Sequence, residues 1–203
     1  HATSKISSLE GLEAVESLGF RGEALASIAS ISRMQMTSRV AHEKHAFVIA
    51  SNGSELSPIQ PAALDSGTII EVNDLYFNTP ARRKFLKMEA TEFGHCEAVF
   101  ERIALSRPDV TFTLNHNGRV ISRYGIGATG LSSAGLSSEL KRFNEVLGAE
   151  FTAESVAIQE EAAGLTLTGV IAKPTYNRSS RDLQYVYVNG RFVRDKLLSH
   201  AIR

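Results

Sequence analysis

The spacing of hydrophobic residues along the chain switches between a helical and an extended period, and the switches mark out its elements. In "SSLEGLEAVESLG", Leu9, Leu12, Val15 and Leu18 recur near one helical face, with a capping-box pair at Ser7 and Glu10 and a stop at Gly19. A second helix is expected from Glu23, where Leu25, Ile28 and Ile31 stand among alanines and serines on a face suited to close packing. The period then falls to two. Met34 and Met36 alternate with polar residues, "HAFVIA" runs to a turn at Asn52-Gly53, and "GTIIEVNDLYF" reads as a buried strand. In "NTPARRKFL", Thr79 occupies an N-cap position and Pro80 the first helical one. A longer helix through Phe93, Phe100 and Ile103 ends before Pro108, and "VTFTLNHNGRVISRY" forms a hairpin about Asn117-Gly118. The sum is an antiparallel sheet with helices between strands, an α+β fold.

From Gly125 to Ser138 the composition shifts to Gly, Ala and Ser, which marks a linker. Beyond it come the helix "SSELKRFNEVLG", a strand pair ending in "GLTLTGVIAKP", then "LQYVYVNGRFVRD" and the start of another helix. This second α+β unit puts the domain division between residues 127 and 128. Within the linker, "GIGATG" (Gly125 to Gly130) matches the dinucleotide fingerprint letter for letter, but it follows a hairpin strand and leads into no helix, so it makes no phosphate site.

Charge and cysteine content narrow the chemistry. Lys+Arg and Asp+Glu both total 22, so a nucleic-acid contact must come from a local patch. Such a patch exists between Arg178 and Arg203, where six basic residues face two acidic ones. The single cysteine, Cys96, excludes an intrachain disulfide and fits a reducing compartment, the cytoplasm. No stretch has the length of a transmembrane span, no signal peptide opens the chain, and the start at His1 suggests an internal piece of a longer protein. The histidines, including His42, His45 and His95 beside Cys96, show no closed four-ligand spacing for a metal.

The stretch richest in candidate chemistry is "GFRGEALASIASI", Gly19 to Ile31. Glycines just before a helix let backbone approach a partner closely, and the first-turn amides with the helix dipole favour an anion such as phosphate. The same pattern also fits a plain helix cap at Gly19 and an easy turn at Gly22. No G-x-x-x-x-G-K-[ST] occurs, so ATP would be held without a Walker lysine.

The motifs "HATSKI" (His1 to Ile6), "GFRGEALASI" (Gly19 to Ile28), "GT" (Gly67, Thr68), "NTPARRKFL" (Asn78 to Leu86) and "YVNGRFVRD" (Tyr187 to Asp195) occur in that order. Together they resemble the N-terminal region of the MutL family of DNA mismatch repair proteins, with "NTPARRKFL" in its bacterial form. The resemblance spans essentially the whole chain and is loosest between Gly125 and Asn177. It implies a GHKL (Bergerat-type) ATPase α/β sandwich over 1–127, incomplete at its N-terminus, followed over 128–203 by a truncated α+β transducer domain of the ribosomal-protein-like type. By similarity, Arg21, Gly22, Glu23, Ala24 and Leu25 form the phosphate-side turn, Thr3, Ser4 and Lys5 fall in the ATP lid, and Thr68 matches a strand threonine near the nucleotide. Glu23 also reads as a helix-dipole partner and Thr68 as an ordinary strand residue.

The implied cofactors are ATP and Mg2+, both needing groups outside the chain. The family's general-base glutamate, magnesium-binding asparagine and adenine-recognising aspartate have no counterpart here, and its γ-phosphate lysine is implied beyond Arg203, so no catalytic or metal-ligating residue is assigned. The intact protein is implied to be a slow ATPase that closes a homodimeric clamp and relays mismatch recognition by MutS to a nicking endonuclease and a helicase, in the cytoplasm at the nucleoid. Its homodimer is implied to form through the ATP-bound N-terminal region and an absent C-terminal domain. Arg178, Arg181, Arg191, Arg194 and Arg203 are implied to line a DNA groove and touch phosphates without sequence preference. In "NTPARRKFL", Arg82, Arg83 and Lys84 form either a functional array near the clamp junction or a solvated first turn. Two rival readings are a topoisomerase or chaperone ATPase on the same fold, and a non-enzymatic clamp scaffold.

Overall fold

The computed structural model describes residues 18–19, 21–126, 136–176 and 184–201. The helix expected through Leu9, Leu12 and Val15, and most of the expected linker, lie outside them. The chain divides into two compact units, His1–Glu89 and Ala90–Arg203.

The first unit contains helix α1 (Ala24–Ala29), strands β1 (Arg33–Arg39), β2 (Ala46–Asn52), β3 (Glu55–Leu56), β4 (Gln60–Ala62) and β5 (Gly67–Asn73), and the one-turn helix α2 (Pro80–Arg83). The strands form one antiparallel sheet in the order β3-β2-β1-β5, with β4 also pairing β2. Register decides its faces. Met34 lies opposite Ser51 and Val72, Met36 opposite Ile49 and Ile70, and Ser38 opposite Phe47 and Thr68, so these side chains share one face. The other face carries Arg33, Gln35 and Glu71, with Gln35 Nε2 donating to Glu71 at 3.1 Å. Ala29, Ser32, Thr37, Ala46 and Ser51 are buried here.

Several local expectations are corrected. The "GTIIEVN" strand is present but exposed at every position, because β5 is an edge strand paired only to β1 among the described residues. Helix α1 ends at Ala29, so Ile31 belongs to the turn after it. Asn52 is the last residue of β2 and pairs with Glu55, which makes Gly53-Ser54 the turn. Thr79 is the N-cap residue of α2, yet its hydroxyl makes no cap hydrogen bond.

The second unit contains nearly all of helix α3 (Glu89–Ser106), the hairpin β6 (Phe112–His116) and β7 (Arg119–Tyr124), and helices α4 (Leu136–Leu147) and α5 (Ala149–Ala153). It continues with hairpins β8 (Ser155–Ala162) with β9 (Leu165–Ala172) and β10 (Val186–Val188) with β11 (Arg191–Val193), and ends in helix α6 (Lys196–Ala201). Asn117 and Gly118 take φ of +48° and +76°, as the Asn-Gly hairpin signal requires. No sequence signal announces the short helix α5. Ala104, Leu105 and Tyr124 are buried, and Phe100 packs edge-on to Phe112 and tilted against Tyr124.

Candidate functional site

The turn before α1 has the geometry its glycines suggest. Gly22 takes φ of +67°, a left-handed conformation that costs a residue with a Cβ roughly 1 kcal/mol or more. Arg21, Gly22, Glu23, Ala24 and Leu25 are all exposed, and Glu23 at the N-cap makes no side-chain cap hydrogen bond. The first turn of α1 thus lies at the surface.

The opposite end of α1 is held by long-range contacts. Ser32 Oγ donates to the Ile28 carbonyl at 2.7 Å, and Ser32 is fully buried. The carbonyls of Ser30, Ile31 and Ser32 accept, in that order, from Asn78 Nδ2 (2.9 Å), Tyr76 N–H (2.7 Å) and Gly53 N–H (3.1 Å). The donors Tyr76 and Asn78 sit in a loop where Asp74 and Tyr76 have φ of +51° and +64°, uncommon for residues with a Cβ. Arg33 braces that loop through an ion pair with Asp74, a 3.3 Å bond from Nε to Asn52 Oδ1, and its guanidinium 4.6 Å over the Phe77 ring.

Thr68 lies on β5 with its hydroxyl 2.8 Å from that of Ser38 on β1. Ser38 is a residue that sequence reasoning missed, since only the strand register brings it to Thr68. Thr3, Ser4 and Lys5 lie outside the described residues, as do Arg178, Arg181 and Arg203. Arg191 is half-buried on β11, and Arg194 is exposed just beyond it, 5.7 Å from the Phe192 ring. The hairpin that carries them is tied to α3: Tyr187 Oη donates to the Arg102 carbonyl at 2.9 Å, and the Arg102 guanidinium lies 4.9 Å over Phe192. Burial pushes the Tyr187 phenol well above its ordinary range, so it stays a donor.

A second missed residue is Arg142 on α4, which is 1% exposed. Its guanidinium donates to the carbonyls of Ala104 (2.6 Å), Arg107 (3.2 Å), Val110 (2.8 Å) and Gly125 (3.2 Å), and lies over the Phe112 and Tyr124 rings. Burial lowers its pKa while Glu145 opposes the shift. A cavity of about 450 Å³ opens beside Arg33, Met34, Ser51, Asn52 and Glu55, and none of the expected nucleotide residues lines it. Among the described residues no three His, Cys, Asp or Glu side chains gather as a metal site, and no helix is long and apolar enough to cross a membrane.

Comparison with known proteins places this geometry in a family. A model described as DNA mismatch repair protein, C-terminal domain, matches residues 143–203. The DNA mismatch repair protein MutL of Herminiimonas arsenicoxydans is 53% identical across 100% of this chain, and that of Pseudomonas aeruginosa is 51% identical across 100%. The chain belongs to the MutL family. It spans 32% and 31% of those two proteins, about a third of their length. Among solved structures, the Aquifex aeolicus MutL ATPase domain complexed with ADP superposes with a TM-score of 0.70 at 29% identity, over 96% of this chain and 69% of that one. The N-terminal domain of a DNA repair protein, at 22% identity and a TM-score of 0.68 over 91% of this chain and 58% of that one, shares the fold. The α+β architecture is thus that of the MutL ATPase domain.

Proposed function

We propose that this chain is the nucleotide-binding and DNA-facing portion of a MutL-type mismatch repair protein. In that reading a slow ATPase switches a homodimeric clamp that couples mismatch recognition by MutS to a nicking endonuclease and a helicase, in the cytoplasm at the nucleoid. The observation that carries it is identity of about half over the whole chain with MutL proteins. In that reading residues 1–127 belong to the ATPase domain and 128–203 to the transducer; the family model at 143–203 falls within the second, while the compact units of the chain divide earlier, after Glu89.

The residues present fit a phosphate chain. Gly22 has no Cβ to hold an anion away, its φ of +67° turns the backbone sharply into α1, and the amides of Ala24 and Leu25 begin the helix. Arg21 adds a cation at the same turn. Thr68, oriented by Ser38, adds a hydroxyl from the sheet, and Thr3, Ser4 and Lys5 supply the lid. When bound, ATP supplies the anhydride bond whose hydrolysis resets the switch. The side chains named here bind and orient; none is placed to take a proton from water. In this reading the ligands for Mg2+ and the general base come from other parts of the longer protein.

The test compares two purified proteins. The full-length protein should bind ATP and hydrolyse it slowly with magnesium, whereas the 203-residue chain should show no hydrolysis above background. Loss of a general base alone costs about 10²–10⁴ in rate. Turnover by the short chain would overturn the assignment of its missing groups, and failure of the full-length protein to bind any nucleotide would overturn the reading itself.

A further inference from the structure

We propose that Asn78 is a positioning residue for the nucleotide turn, acting through the far end of helix α1. This rests on the nucleotide reading for its consequence, though not for its geometry. Asn78 Nδ2 donates to the Ser30 carbonyl at 2.9 Å, across 48 positions of sequence, and Ser30 is the C-cap of α1. That carbonyl has no partner further along the helix, so a side-chain donor must supply one or water must.

The neighbouring bonds make this a latch. Tyr76 N–H and Gly53 N–H hold the next two carbonyls, at 2.7 and 3.1 Å, so two separate loops grip one turn of backbone. Those loops also touch one another. Gly53 is buried, and a Cβ placed on it would sit 3.1 Å from Asn78 Nδ2, 3.7 Å from Phe77 Cζ and 3.8 Å from the Ser30 carbonyl oxygen. An added Cβ would press on the Asn78 amide, and the φ of +66° at Gly53 is itself strained for a residue with a Cβ. Helix α1 is six residues long, too short to be set in place by its own apolar face. With Ala29 its one buried residue, the latch at its C-terminal end fixes where its N-terminal turn points.

"NTPARRKFL" gains a second role from this arrangement. Its first residue holds α1, and its next residues start the basic helix α2, so the nucleotide turn and the basic array are joined through one side chain. A shift of α1 on nucleotide binding would pull on the same segment that presents Arg82 and Arg83.

The experiment uses the full-length protein with Asn78→Ala, Asn78→Asp, Gly53→Ala and the Gly53→Ala/Asn78→Ala double variant. Hydrogen exchange is read at the α1 amides Ser27 and Ser30, whose bonds to Glu23 and Ala26 define the helix, and at β1 and β2 as a reference. Asn78→Ala and Asn78→Asp should each speed exchange in α1 by about five- to tenfold, the effect of one hydrogen bond, and leave the strands unchanged. Gly53→Ala also carries the strain of a Cβ at φ of +66° in either background, so the double variant should lose less than the sum of the two single variants, the shared part being the one hydrogen bond both disturb. In parallel, KM for ATP should rise by a similar factor while kcat stays within about twofold, as expected when binding is weakened uniformly. Asn78→Asp, which keeps the shape and removes the donor, covers the case in which the alanine variant does not fold. Equal loss of protection in α1 and in the strands, or additive effects in the double variant, would remove Asn78 from this role. If the wild-type protein binds no nucleotide, the functional reading fails, and the exchange cycle still decides the latch.

Discussion

Gly22 is the residue whose backbone commits the turn to its shape, and substitution there tests the turn most directly. Gly22→Val should lower nucleotide affinity of the full-length protein by about tenfold or more, since valine both resists the left-handed conformation and crowds the anion. Gly118 is the proper control. It takes φ of +76° at a hairpin tip, and a Cβ there meets nothing within 4 Å. Gly53, another turn glycine, is unsuited to that purpose because its Cβ would press on Asn78. Equal affinity losses for Gly22→Val and Gly118→Val, in folded proteins titrated with ATP, would show that Gly22 serves the fold alone. At this scale the sharp glycine turn before α1 was legible in the sequence, and Gly22 takes the left-handed φ of +67° there. Ser38 and Asn78 were not, because their partners lie 30 and 48 positions away and no local pattern announces them.

Among the elements, α3 depends on a charge from α4. The last carbonyls of an 18-residue helix carry partial negative charge and lack partners within the helix, and Arg142 brings a guanidinium to two carbonyls at that end, Ala104 and Arg107. The same fork reaches Val110 and Gly125, so α3, α4 and the two ends of the β6–β7 hairpin share one buried cation. Arg142→Met should destabilise this packing by about 3–5 kcal/mol, in the range for breaking a buried charged network. Arg142→Lys should recover little of it, because a point ammonium cannot donate in a planar fork to four carbonyls. Native-state hydrogen exchange in α3 and α4 measures both, and unchanged protection in the methionine variant would refute the account. The hydrophobic pattern alone placed α3 and α4 nearly correctly. It could not indicate that an arginine inside "SSELKRFNEVL" is buried while its neighbour Lys141 remains half-exposed.

Across the whole chain the charges cancel, so the proposed DNA binding rests on where the cations stand. Of the two proposed groove arginines among the described residues, Arg194 is exposed and Arg191 half-buried, so Arg194 is the one to test. Arg194→Glu in the dimeric full-length protein should weaken binding to unrelated duplexes alike. It should also flatten the slope of log K against log salt by roughly 0.9 for each phosphate that is no longer neutralised. An unchanged slope would take Arg194 out of the interface, and weakening on one sequence only would contradict a backbone-reading mode. The sequence by itself determined the type and order of most of the described elements, β3, β4 and α5 excepted, with the glycine turn before α1 and the Asn-Gly hairpin at 117–118, because helical and extended periods and turn chemistry are written within a few neighbouring residues. Only the tertiary structure decided that β5 lies exposed at a sheet edge, that Ser38 pairs with Thr68, that Asn78 holds Ser30 and that Arg142 is buried. Each of these is a pairing or an exclusion between residues far apart in the chain, set by strand register and by which carbonyls packing leaves without partners, and neither quantity exists until the chain has folded.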